Sequence, residues 1–170
     1  MDPKTLHKLS YGLYIVTSKK DDKINGQISN TVFQITSEPQ TVAVSINKLN
    51  LTYEYILASK VFATSILSKN VDMKLIGTFG FKCGRDLDKC AEVKYELGVT
   101  GAPLIMESTI GHIEAKVIDT LDCGSHCLFI GEVVDARIIS DDEPMTYAYY
   151  HEIKGGRSPS KAPTYIKEED

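Results

Sequence analysis

The run Ser45-Ile46-Asn47-Lys48-Leu49-Asn50-Leu51-Thr52 joins the parts of an anion site. An apolar strand ends there, a short polar loop follows, and a helix begins. Asn50 is of a favoured N-cap type. The first turn of a helix leaves backbone N–H groups without intrahelical partners, and the macrodipole puts partial positive charge at the same end. Lys48 adds a mobile cation and Thr52 a hydroxyl, so the segment predicts a pocket of phosphate size. The same spacing also suits a plain capped helix with a surface lysine, and spacing alone weighs the two evenly.

A second polar cluster is Asn25-Gly26-Gln27-Ile28-Ser29-Asn30-Thr31, where amides and hydroxyls crowd a strand that should alternate. A heteroaromatic ring such as a flavin needs donors and acceptors at its heteroatoms and a backbone that comes close on one side, which Gly26 permits. An exposed polar edge strand would read the same way. Other chemistries lack their signatures. There is no dinucleotide or P-loop glycine pattern and no His-Glu-x-x-His. Ser125, in Cys123-Gly124-Ser125-His126-Cys127, lacks the second glycine of a nucleophile elbow. Cys127 and His126 are strand neighbours that point to opposite faces, which disfavours a nucleophile–base pair. Cys83, Cys90, Cys123 and Cys127 have none of the two-residue spacing of zinc knuckles, so reduced thiols and no metal are expected.

The elements that must position these residues follow from pattern. Residues 3–10 suit a short helix with Pro3 in its first turn. Strands are predicted over 12–18, 24–30, 41–46, 61–67, 110–120 and 127–139, and helices over 51–59 and 70–79. Leu51, Tyr55 and Ala58 should share one helix face, and Asn70 should cap the second helix. In the strand over 110–120, Ile113, Ala115 and Val117 should face inward, and His112, Glu114 and Lys116 outward. There is no steady β-α-β alternation, so a small, mainly β barrel of about six antiparallel strands is expected. The chain has 170 residues, 42% hydrophobic and 25% charged, with net charge −4, which fits one domain. That charge leaves no basic footprint for nucleic acid or an anionic membrane. No apolar run is long enough to span a bilayer and no signal peptide is visible, so a cytoplasmic location is expected.

Taken together in order, Asn25-Gly26-Gln27-Ile28-Ser29-Asn30-Thr31, Ser37-Glu38-Pro39, Val42-Ala43-Val44-Ser45-Ile46 and Gly124-Ser125-His126-Cys127-Leu128-Phe129-Ile130-Gly131-Glu132-Val133 resemble the flavin reductase-like, FMN-binding split-barrel family. Phe79 to Asp86 and Tyr149 to Gly156 are similar to the flavoprotein half of high-molecular-weight rubredoxin and flavoredoxin-type proteins. The resemblance implies a six-stranded split barrel over residues 1–154, followed by a tail over 155–170. It implies a homodimer with FMN bound near the interface. Gln27, Ile28, Ser29, Asn30 and Thr31 would lie along the flavin ring or ribityl chain. Ser45, Ile46, Asn47, Lys48, Asn50 and Thr52 would surround the phosphate, with charge from Lys82 or Arg85. His126 would lie near the flavin or its reductant, and Tyr150 or Tyr165 would cover the ring. The implied activity is transfer of electrons from NADH or NADPH through FMN to free flavin or a redox protein. The tail carries no Cys-x-x-Cys pair, so a rubredoxin is expected as a separate partner. The alternatives are an FMN electron carrier with no nicotinamide activity, and a flavin-free structural barrel.

Overall fold

The computed structural model describes residues 2–165. A 3₁₀ turn, Pro3–Lys8, leads into strands β1 (Tyr14–Lys20) and β2 (Lys23–Ser29), joined by a tight turn at Asp21 and Asp22. β3 (Val32–Ser37) and β4 (Gln40–Asn47) form a second hairpin. Helix α1 (Leu51–Ser59) follows, then β5 (Val61–Leu67), helix α2 (Met73–Phe81), and a short ribbon of β6 (Tyr95–Leu97) and β7 (Pro103–Ile105). The long strands β8 (Thr109–Cys123) and β9 (His126–Ile138) precede helix α3 (Tyr147–Glu152). The main sheet is antiparallel, in the order β2-β1-β5-β8-β9-β4-β3. No helix among the described residues is long and apolar enough to cross a membrane.

The mainly β architecture is as expected, with seven strands in the main sheet rather than six. The extra strand is β3. Its residues Phe33 to Ser37 are exposed, so no burial alternation announced it. β6 and β7 are three residues each, too short to show a period.

Two large apolar clusters fill most of the interior, beside a smaller one of Ala63, Ala102 and Leu104. One packs Leu13, Ile15, Leu67, Ile76 and Phe79 beneath α2, and the other packs Val16, Val44, Ile46, Ile56, Phe62 and Phe129 beneath α1. Three local expectations change. α1 buries Thr52, Tyr55 and Ile56 and leaves Ala58 exposed, because its inner face is turned one residue from the apolar stripe. α2 begins three residues after Asn70, at Met73. Asp72 caps it by accepting from the Lys74 N–H at 2.8 Å. On β8, His112 and Glu114 are buried rather than outward. The Glu114 carboxylate takes N–H bonds from Val99 and Thr100 and the Thr100 hydroxyl, and His112 Nε2 lies 2.8 Å from the Ile105 carbonyl. The polar face of this strand is thus covered by the β6–β7 segment.

Gly131 on β9 marks where the sheet is tightest. A Cβ there would sit 2.7 Å from both Ala115 Cβ and the Phe62 ring, which are buried and cannot yield freely. Gly131→Ala should therefore lower stability by about 1–3 kcal/mol, read by denaturant unfolding. An unchanged midpoint would show that the core repacks there without strain.

Candidate functional site

β2 and β3 are consecutive strands, yet they lie on opposite edges of the sheet. The sheet curls but is not laddered shut between them. A cavity of about 250 Å³ opens beside this gap. Its walls come from β2, the end of β4, the start of α1, the segment from Phe79 to Arg85, and residues 157–163 of the tail.

One end of the cavity is cationic. The α1 N-terminus opens here, and Asn50 stands at the cap position with its side chain making no capping hydrogen bond. Asn25 Nδ2 donates to Thr52 Oγ1 at 2.8 Å, tying β2 to the first turn of α1 across the gap. Gly84 comes so close that a Cβ would lie 2.1 Å from Asn25 Oδ1, so no side chain fits at this position. Lys82 and Arg85 line the same region. Arg85 also pairs with Glu54, which fixes its guanidinium near the start of α1. Cys83 lines the cavity too, and the backbone N–H of Arg85 holds its thiol below the ordinary range.

The other side is rich in uncharged donors and acceptors: Gln27, Ser29, Asn30, Ser45, Asn47 and His126. Two buried atoms there, Gln27 Oε1 and His126 Nε2, have no hydrogen-bond partner. His126 Nδ1 lies 2.9 Å from Ser125 Oγ. Burial pushes the His126 pKa down, with the nearby Lys161 carbonyl opposing, so the ring is neutral at neutral pH.

Of the residues singled out in the sequence, Gln27, Ile28, Ser29, Asn30, Ser45, Asn47, Asn50, Thr52, Lys82, Arg85 and His126 all line this one cavity. Thr31, Ile46 and Lys48 do not. Ile46 is fully buried in the core. Thr31 turns its hydroxyl to Asn30 Oδ1 at 3.1 Å. The Lys48 ammonium pairs with Asp122 at 2.6 Å, on the β8–β9 side. Tyr150 lines the cavity and Tyr165 does not.

Two further contributors stand beside these residues. The tail is not a free arm. Asn47 Nδ2 donates to the Lys161 carbonyl at 3.3 Å, Asn30 Nδ2 to Thr164 Oγ1 at 3.0 Å, and the Tyr150 hydroxyl to the Arg157 carbonyl at 3.0 Å. Tyr147 of α3 reaches the hydroxyls of Ser158 and Thr164. Residues 166–170 of the predicted tail lie outside the described residues. Lys89 is the other contributor, a buried lysine that also lines the cavity. It stands in a polar run, Arg85-Asp86-Leu87-Asp88-Lys89, that reads as a solvated surface, so no sequence signal marked it.

An open antiparallel sheet with an amide-rich, cation-ended cavity beside its unpaired edge defines a split barrel of the flavin-binding class. The chain belongs to the flavin reductase like domain family, whose pattern matches residues 6–154. It is 53% identical over 165 residues to a high molecular weight rubredoxin of Moorella thermoacetica, covering 97% of this chain and 72% of that protein. It is 44% identical over 167 residues to a ferric-chelate reductase (NAD(P)H) of Archaeoglobus fulgidus, covering 98% of this chain and 99% of that protein. Among solved structures it is similar to the flavin reductase HpaC in complex with NADP+, with TM-score 0.74 and 27% identity, covering 85% of this chain and 89% of the other.

The tail is held through Asn30 and Asn47, so replacing both with leucine should release it. Trypsin should then cut after Arg157 and Lys161 several-fold faster, with the barrel left intact. Equal cleavage of parent and variant would show that these amides do not hold the tail.

Proposed function

We propose that the cavity binds FMN and that the chain passes electrons from NADH or NADPH through it to free flavin or to a redox protein such as a rubredoxin. The observation that carries this is the pair of unpartnered buried atoms, Gln27 Oε1 and His126 Nε2, set in a cavity whose opposite end is cationic. A ring with in-plane donors and acceptors suits the first feature, and a phosphate the second. When bound, FMN supplies the hydride and electron chemistry.

The chain's own residues bind, orient and shield. The free N–H groups at the start of α1, with Asn50 and Thr52, face the phosphate, and Lys82 and Arg85 add charge. Gln27, Ser29 and Asn30 offer hydrogen bonds to the ring edge. His126, uncharged near neutral pH, offers a hydrogen bond without placing a cation beside the ring. Residues 157–163 and Tyr150 restrict water. The 1–154 unit thus supplies most of the site, and the tail from 155 completes its wall. The relatives' names support two kinds of acceptor, a ferric chelate and a rubredoxin. Both are met at the open side of the cavity. Apolar side chains left exposed on β3 and the outer half of β8, among them Phe33, Ile118 and Leu121, support a homodimer.

The purified protein, supplied with FMN, should be yellow, and anaerobic NADH or NADPH should bleach it in stopped flow. A yellow protein that neither nucleotide bleaches would be an electron carrier, and a protein that ignores FMN would be a flavin-free barrel. Lys48 is committed to Asp122, so Lys48→Ala should leave FMN affinity within about twofold, as exposed ion pairs contribute little. Thr52→Ala should weaken FMN about five- to tenfold, the loss of one hydrogen bond to a charged group. The reverse ranking, read by fluorescence titration, would move the phosphate to the β8–β9 side.

A further inference from the structure

The chain is acidic, with 23 Asp and Glu against 19 Lys and Arg and a net charge of −4. The cavity wall has the opposite sign. Among the described residues that line it are Lys82, Arg85, Lys89, Arg157 and Lys161, and no Asp or Glu. Lys82, Arg85, Arg157 and Lys161 are exposed, so this charge is displayed at the mouth of the cavity. A phosphomonoester brings about two negative charges, so a seated flavin leaves the mouth cationic.

Arg157 and Lys161 are the cations that the flavin reading does not use. Their backbones are fastened. The Tyr150 hydroxyl donates to the Arg157 carbonyl at 3.0 Å and lies 3.2 Å from the Arg157 N–H, and Asn47 Nδ2 donates to the Lys161 carbonyl at 3.3 Å. Neither side chain pairs with a carboxylate among the described residues. Two charges therefore stand unspent at fixed points of the tail, beyond the neutral groups of Asn30, Asn47 and His126. Leu49 and Phe81 border the same opening and are 67% and 54% exposed. Phe33, Ile118 and Leu121, the apolar residues that support a homodimer, line no part of it. Exposed apolar side chains beside a cationic rim suit a protein contact, in which charge steers and apolar surface excludes water. A small anion would leave the apolar pair unused.

We infer that this mouth is the docking surface for a small acidic electron-carrier protein, with Arg157 and Lys161 meeting its carboxylates and Leu49 and Phe81 its apolar contact. This rests on the electron-transfer reading above and gives its acceptor a place and a charge. NADH and two oxidised one-electron carriers become NAD+, two reduced carriers and a proton, so each turnover needs two encounters in succession. The complex must form fast and part fast, which suits a small interface led by exposed charge.

The probes are a rubredoxin of net negative charge and a c-type cytochrome of net positive charge, each reduced by the FMN-loaded protein with excess NADH or NADPH. The rate constant for the rubredoxin should fall about tenfold between about 20 and about 200 mM salt, and that for the cytochrome should not fall. Arg157→Glu with Lys161→Glu should lower the ratio of rubredoxin rate to cytochrome rate at least about tenfold. The ratio cancels any effect on flavin or nucleotide, which both acceptors share. An unchanged ratio, with both rates falling together, would give these cations to the nucleotide and overturn the inference. On the parent, NMR shift changes on adding oxidised rubredoxin should gather at Leu49, Phe81, Lys82 and residues 157–161. Changes gathered on β3 and the outer half of β8, or none, would also overturn it. A parent that binds no FMN, or that neither nucleotide reduces, would refute the reading above, and the same shift map would still decide the docking.

Discussion

Hydrogen-bonding groups at the edge of a sheet must find partners, and this sheet has two such edges facing one another across a gap. Only Asn30 and Thr31 separate β2 from β3 in the chain, but the two strands flank opposite sides of the sheet. A closed barrel would pair them and fill its interior with apolar side chains. Here three asparagines do the bridging instead: Asn25 to Thr52, Asn30 to Thr164 and Asn47 to Lys161. Each joins an edge of the opening to a different segment, namely α1 and two points of the tail. The cavity is therefore a consequence of incomplete closure, and its polarity follows from the residues that substitute for ladder bonds.

That constraint also arranges the charge. The connection from β4 to α1 is short, so the helix must start at the lip of the opening with its N–H groups directed to it. The segment after α2 returns along the same lip and delivers Lys82, Arg85 and Lys89. Arg85 is held by Glu54, while Lys89 donates to two backbone carbonyls and lies over the Phe79 ring. Opposite them the groups are neutral, including His126, whose burial disfavours its charged form. A ligand with an anionic end and a heteroaromatic end has one orientation in such a field. The family membership and the geometry thus agree on the same class of cofactor without either depending on the other.

Much of this was legible from residue types. Residues 51–59 and 61–67 form the predicted helix and strand because their flanking polar segments are sharp and their β-formers are concentrated. The amide run on β2 and the Asn47–Thr52 loop stood out because polar residues interrupt patterns that burial would otherwise keep apolar. β3 was hidden, since an exposed edge strand need not alternate. α3 and the path of the tail were hidden for another reason. Their conformation is set by contacts from Asn30, Asn47 and Tyr150, each distant in the chain, and Gly155, Gly156, Pro159 and Pro163 suggest only irregularity. Nothing in the sequence placed Lys48 away from the cavity lining, because its proximity to the helix start does not reveal that Asp122, 74 residues on, pairs with its ammonium. Lys89 was overlooked for the opposite reason, since nothing local tells that a lysine among aspartates turns inward.

The central claim is that the phosphate of FMN sits where α1 begins, beside the open edge of β2. A crystal structure of the FMN complex tests this most directly. The account predicts phosphate density against the backbone N–H groups of Leu51 and Thr52, within reach of Lys82, Arg85 and Lys89. Density for the phosphate beside Asn30, His126 and the tail, with the ring at α1, would contradict it.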